Sequence, residues 1–284
     1  HEQRIEPYDV IDFSANINPL GPSQRGLSAL ESQLRYISHY PDATNDDILN
    51  AIADIYGMNK NQIVVGNGAA ELLYAICRLP GYTGAFVPAP GFSEYKAALE
   101  ASRIPVRDIY YRPREDEHGK PYFEVPYLAL ETFAAELKGQ DGRIIVFLGN
   151  PNNPDGTLLD KNHIRTIASM LKDANSLLVI DESFIDFVGN DTLQDNEYSM
   201  RSLVNEFDNI IVVHSFTKFY AVPGLRIGAA FSNPLIIEQL NSFIPTWSVN
   251  TLAQSYTEAA LNDVEYVKRT KQVLHEEQLF MYNS

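Results

Sequence analysis

The sequence has 284 residues, 45% of them hydrophobic, with a formal net charge of −15. That length admits one large α/β domain or two domains around a sizeable core. The acidic balance excludes a nucleic-acid-backbone binder, which needs a basic footprint, but leaves room for a small anionic ligand held by local cations and backbone amides.

Taken in chain order, residues 1–25 are turn-rich and polar, end in "NINPLGPS", and read as an extended arm rather than a helix. They show no basic, apolar, small-residue leader. "DDILNAIADIYG" predicts a helix closing at Gly57, and "QIVVG" a short buried strand. "NGAAELLYAICRL" predicts a turn into a helix that carries the single cysteine, Cys77, as a small core residue. One cysteine builds no disulfide framework, so a cytoplasmic compartment is expected. "GAFVP" is a strand, "GFSEYKAALEAS" a helix, and "RIIVFLG" a strand ending in "NPNNPDG". The helix "KNHIRTIASMLKDA" follows, then the strands "SLLVID", "NIIVVHS" and "LRIGAAF". A long helical segment, "TLAQSYTEAALNDVEYVKRTKQVLHEEQLFMY", comes last. The six histidines are scattered with no HExxH or CxxC spacing, so no protein-built metal site is expected. No apolar run approaches the roughly 18 residues of a membrane helix.

Strand, loop and helix thus alternate, and the strands are apolar without a period of two. Burial on both faces follows, hence a mostly parallel mixed sheet between helical layers, a three-layer α/β/α fold. The expected division is an arm with a first helix over 1–40, a large domain over 41–250, and a long helix over 251–284 leading toward a small C-terminal domain.

Ligands in such folds bind outside the carboxyl ends of the strands. Those ends carry "GNGAAE", "APGF", "NPNNPDG", "DESF" and "HSFTK". In the first, the amides of Ala69 and Ala70 and the helix dipole suit a phosphate, although the stretch also reads as an ordinary strand-to-helix turn. A dinucleotide fingerprint fits poorly, because Glu71 stands where its third glycine belongs. "NPNNPDG" is rich in turn formers, yet its adjacent asparagines offer amides to a ligand oxygen. Asp181 ends an apolar strand, where a carboxylate is costly unless paired; it reads as a counter-ion for a cationic ligand atom, or as a cap or salt bridge. Lys218 ends another, and a desolvated lysine is either a structural ion pair or a nucleophilic amine. Ser215 and Arg226 beside it suit a phosphate. Phosphate cradle, carboxylate, amide donors and amine together are what pyridoxal 5′-phosphate (PLP) requires.

The chain resembles the fold-type I PLP enzymes of the aspartate aminotransferase superfamily. The likeness rests on "DFSANINPLGP" (12–22), "YPDA" (40–43), "PGFSEYKAAL" (90–99), "PNNPDG" (151–156), "DESFIDF" (181–187), "TKFYAVPGLRIG" (217–228) and "WSVNTLA" (247–253). It is nearest to the branch of threonine-phosphate decarboxylases, next to that of histidinol-phosphate aminotransferases. The resemblance implies that Lys218 holds PLP as a Schiff base, with Asp181 pairing with the pyridine nitrogen and Asn153 bonding the phenolic oxygen. It implies that Phe92 stacks on the ring and that Ala69, Ala70, Ser215 and Arg226 bind the phosphate. Tyr40 would reach the phosphate of a partner subunit in a homodimer, and Asn16 and Asn153 would meet a small phosphorylated amino-acid substrate. The implied reaction is decarboxylation of O-phospho-L-threonine, with amino transfer of the histidinol-phosphate type, or ligand binding without catalysis, as alternatives. Phe184 stands where many aminotransferases have a tyrosine, and Asp155 replaces a usual threonine, adding negative charge nearby. The family's small C-terminal domain, with arginines that grip the substrate, is expected beyond Ser284, and His1 falls where a histidine–glycine loop is expected.

Overall fold

The computed structural model of the protein describes residues 14–137, 142–189, 193, 194 and 196–283. After an irregular arm come α1 (Gln24–Gln33), α2 (Asp46–Tyr56), β1 (Ile63–Gly66), α3 (Gly68–Ile76), β2 (Tyr82–Ala89) and α4 (Glu94–Ala101). Then follow β3 (Val106–Tyr110), β4 (Arg112–Glu115), β5 (Pro121–Glu124), α5 (Tyr127–Glu136), β6 (Arg143–Gly149), α6 (Lys161–Asp173) and β7 (Leu177–Asp181). The chain ends with β8 (Ile210–Ser215), α7 (Phe216–Phe219), β9 (Gly228–Phe231), α8 (Pro234–Phe243), α9 (Thr251–Leu261) and α10 (Val264–Asn283). No described helix is long and apolar enough to cross a membrane.

Seven strands form one sheet in the order β1-β9-β8-β7-β6-β2-β3. All neighbours are parallel except β9, which runs antiparallel to both β1 and β8. The expected lack of alternation has its counterpart in β8, where all six residues are buried. Ile210 and Val212 pack with α2, α5, α6 and α9 on one face; Ile211 and Val213 pack with α3, α4 and α8 on the other. Each helix buries one stripe: in α6 it is Ile164, Ile167, Ala168 and Leu171, at the 3–4 spacing that faces a sheet. The Asp160 carboxylate caps α6 by accepting from the amides of Asn162 and His163. Cys77 is buried in the second cluster, which pushes its thiol pKa up to about 12.

Three elements differ from the sequence reading. The arm gives way to helix at Gln24, because the Ser23 hydroxyl accepts from the Gly26 amide and starts α1 there. "LRIGAAF" is strand only from Gly228; Pro223–Leu225 is a short 3₁₀ turn and Arg226 has φ of 59°. The long terminal helix is two helices, α9 ending at its cap Asn262 and α10 restarting where the Asp263 carboxylate accepts from the Tyr266 amide. The β4–β5 hairpin was not legible, since its residues are mostly exposed and half of them are charged.

The parallel strands bring their carboxyl ends to one edge in register: Gly149 beside Asp181, and Asp181 beside Val213. Gly228 pairs with both Ser215 and Gly66. The start of α3 therefore lies next to the end of β8, although about 150 residues separate them in sequence. Asn18 ties the arm over this edge. Its amide donates to the Lys218 carbonyl, and its side chain donates to the Phe219 carbonyl, the Tyr266 hydroxyl and the Thr270 hydroxyl.

Candidate active site

Asp181 leaves the sheet as the last residue of β7 and is 6% exposed. A carboxylate this buried needs donors, and it has three. The Tyr95 hydroxyl donates to Oδ2 at 2.9 Å, while the Ser183 amide and hydroxyl donate to Oδ1 at 2.9 and 2.6 Å. Tyr95 comes from the first turn of α4. Burial, then the Asp181 charge, pushes its phenol well above the ordinary range, so it stays a donor. Phe92, in the loop before α4, packs edge-on against Tyr95 at 5.6 Å.

The turn after β6 separates its two adjacent asparagines, Asn152 and Asn153. Asn152 is spent inside the turn: its side-chain amide donates to the Pro90 carbonyl at 3.0 Å and to the Asp155 carboxylate. Thr157 donates to the same carboxylate, so the Asp155 charge is held within the turn. Asn153 instead lines a cavity of about 200 Å³. Arm residues Ser14–Asn16 and Phe92, Asp181, Phe184 and Lys218 complete its walls.

Lys218 stands on the four-residue α7 directly after β8, anchored by the buried Phe216 and Phe219 on either side. Among the described residues its ammonium has no hydrogen bond or ion pair. Burial lowers its pKa from 10.5; the neighbouring Arg226 charge lowers it further, and Asp181 opposes both. Among the described residues Arg226 bonds the Pro223 carbonyl through Nη1, at 3.1 Å, and no other acceptor. Its guanidinium lies against Gly68, where a Cβ would fall 2.4 Å from Nη2, and Gly68 also has φ of 78°. The positive φ favours glycine there, and any side chain would push the Arg226 guanidinium aside. A Cβ on Gly228 would meet the Ala69 nitrogen at 2.6 Å, so strand and helix start are in backbone contact. Ser215 bonds Thr217 at 2.8 Å, and no side chain caps α3. The amides of Ala69 and Ala70 thus open beside Ser215 and Arg226, a cation and donors converging without an anion. Glu71 lies back from them, accepting from the Asn67 amide and the Ser248 hydroxyl.

Five sequence-picked residues, Asn16, Phe92, Asn153, Asp181 and Lys218, therefore line one cavity, and Ala69, Ala70, Ser215 and Arg226 form the adjoining cradle. Tyr40 lies apart, 79% exposed and stacked on Trp247 at 4.4 Å. Two acids of "DESFIDF" serve the fold instead: Glu182 is fully buried against Ser199, Met200 and Arg201, and Asp186 accepts from Tyr56 and lies 3.1 Å from His214 Nε2. Sequence reasoning missed Tyr95, Ser183, Asn18 and the Glu71–Ser248 pair. The signal for Tyr95 was its place three residues after Phe92, one turn along the same segment. His1 and its loop lie outside the described residues.

An amine, a buried carboxylate on the far wall, an amide-bearing asparagine and a separate anion cradle fit the aldehyde, ring nitrogen, phenolic oxygen and phosphate of PLP. Residues 8–284 match the family described as Aminotransferase class I and II. The chain is 35% identical over 94% of its length to the adenosylcobalamin biosynthesis bifunctional protein CobDQ of Leptospira interrogans, of which it spans 29%. It is 32% identical over 99% of its length to the threonine-phosphate decarboxylase of Salmonella typhimurium, of which it spans 72%. The structure of a histidinol-phosphate aminotransferase from Sinorhizobium meliloti in complex with PLP superposes with a TM-score of 0.74 at 23% identity, covering 91% of this chain and 66% of that one. The chain belongs to the aminotransferase class I and II family, and its cofactor is pyridoxal 5′-phosphate.

Proposed function

We propose that the protein decarboxylates O-phospho-L-threonine to (R)-1-amino-2-propanol phosphate. Bound PLP supplies an electron sink for the bond broken at the substrate's α-carbon. Lys218 offers the amine that holds the cofactor and, once released, carries a proton at Nζ; its lowered pKa favours the free base. Asp181 keeps the ring nitrogen protonated, Asn153 donates to the phenolic oxygen, and Phe92 covers the ring face. Ala69, Ala70, Ser215 and Arg226 hold the phosphate end. Phe184 brings no hydroxyl, so Asn153 is the side-chain donor left to the phenolic oxygen.

Which bond at the α-carbon would break depends on how the protein orients the substrate, so substrate contacts choose the reaction. The observation that carries the decarboxylase reading is the arm: Ser14–Asn16 line the cavity, tied down by Asn18 within a segment that resembles the decarboxylases. The name of the Salmonella relative agrees. Amino transfer of the histidinol-phosphate type would use the same cofactor contacts and is the second reading. Incubating full-length protein with O-phospho-L-threonine should release CO₂; transfer of an amino group from glutamate with no CO₂ would overturn the choice.

The active unit is read as a homodimer. Tyr40, with Ile37 at 66% and Trp247 at 46% exposure, forms an outward aromatic and aliphatic patch suited to a second copy. There Tyr40 would reach the partner's phosphate. The large domain is read as residues 41–250.

A further inference from the structure

We propose that Tyr95 is a positioning residue of the cofactor site, orienting the Asp181 carboxylate and the Phe92 ring together. The proposal rests on the reading of Asp181 and Phe92 as contacts to the ring's nitrogen and face. Tyr95 is 2% exposed and stacks on Phe147 of β6, with centroids 5.3 Å apart and planes 17° from parallel. Its ring is thus fixed by the core, not by the loops of the site. From that fixed ring two contacts leave in different directions. The hydroxyl reaches Asp181 Oδ2 at 2.9 Å, and the ring meets Phe92 edge-on at 5.6 Å and 86°.

The carboxylate has about four lone-pair sites. Ser183 fills two on Oδ1 and Tyr95 one on Oδ2, which leaves Oδ2 as the oxygen with capacity for a further N–H. Ser183 lies two residues past Asp181 on the same segment. Among the described residues Tyr95 is the donor to this carboxylate from another element, so its hydroxyl ties the carboxylate to α4. Its hydroxyl also draws charge from Oδ2. Removing it concentrates negative charge on the oxygen facing the ring, which favours protonated forms of the cofactor.

The test is Tyr95→Phe in full-length protein loaded with PLP, read by the near-visible absorbance of the cofactor across pH. Phenylalanine keeps the stack on Phe147 and the edge on Phe92 and removes only the hydroxyl. The titration midpoint should move up by about half a pH unit, and cofactor release should be several-fold faster. The midpoint is a readout that a merely structural role does not move. A midpoint and release rate equal to wild type would overturn the proposal while leaving the cofactor assignment intact. Absence of any such band in wild-type protein would overturn both. Phe147→Leu keeps the proposal testable should Tyr95→Phe not fold. It loosens the stack that fixes the Tyr95 ring and leaves Asp181, Ser183 and Phe92 in place, so the midpoint should again move up. A midpoint and release rate equal to wild type would contradict the proposal.

Discussion

The two ends of the cavity are built on opposite principles. At the Asp181 end three donors meet one carboxylate, and the Tyr95 and Phe147 rings behind it are buried. At the Lys218 end two cations and a helix start stand together, and among the described residues the acceptor given to either side chain is a backbone carbonyl. The first end is a carboxylate oriented by its donors. The second holds like charges near each other, an arrangement that an anion and an aldehyde relieve. Ligand energy should therefore come from the Lys218 end, and geometry from the Asp181 end.

The largest effect should follow the loss of the amine. Lys218→Ala should lower turnover by about a thousandfold or more, with cofactor retained only non-covalently and lost on dialysis. Asp181→Ala should cut turnover by at least about a hundredfold while the phosphate contacts still bind cofactor. It should also lower stability in urea, because the buried Tyr95 hydroxyl is left without an acceptor, at about 1–3 kcal/mol. If instead Asp181→Ala released cofactor and left stability unchanged, the assignment of the two ends would be reversed.

Arg226→Gln should raise the cofactor dissociation constant about 10- to 100-fold, the worth of one charge-assisted bond of about 1.5–3 kcal/mol. It also separates charge from contact. Lys218 has its pKa lowered by burial first and Arg226 second, so the variant should raise it. Capture of pyridoxal, which lacks the phosphate, by cofactor-free protein should show a pH midpoint below 10.5 in wild type and a higher one in the variant. The sign for stability follows. A lysine harder to protonate when folded favours the unfolded chain at low pH, so the cofactor-free protein loses stability as pH falls from 10.5 toward the folded pKa and not below it. Smallest should be Ser248→Ala: Glu71 keeps the Asn67 amide, and the loss should be about 1 kcal/mol or less with cofactor affinity within about twofold.

The two ends also differed in how far the sequence revealed them. Lys218 and Asp181 stood out because a charge at the end of an apolar strand is costly without a purpose, and the strand pattern was strong; Arg226 stood out by its place eight residues after Lys218, where an arginine suits a phosphate. Gly68 and Gly228 were visible as glycines but not as the points where Arg226 and Ala69 come into contact, since that needs the antiparallel turn of β9 into the sheet. Tyr95 was hidden because an aromatic on a helix stripe looks like any core residue; only its hydroxyl's partner, 86 positions away, distinguishes it. Asn18 was lost in a turn-forming segment, where asparagine before proline has a sufficient local explanation. The break between α9 and α10 depends on the single cap Asp263, within a pattern otherwise continuous in helix formers.

The most direct test of the account reduces cofactor-loaded, full-length protein with borohydride and locates the pyridoxyl group by peptide mass spectrometry. The predicted result is one modified peptide, with the group on Lys218. Modification at Lys96 or Lys161 instead, or no modified peptide from protein that shows the cofactor band, would contradict it.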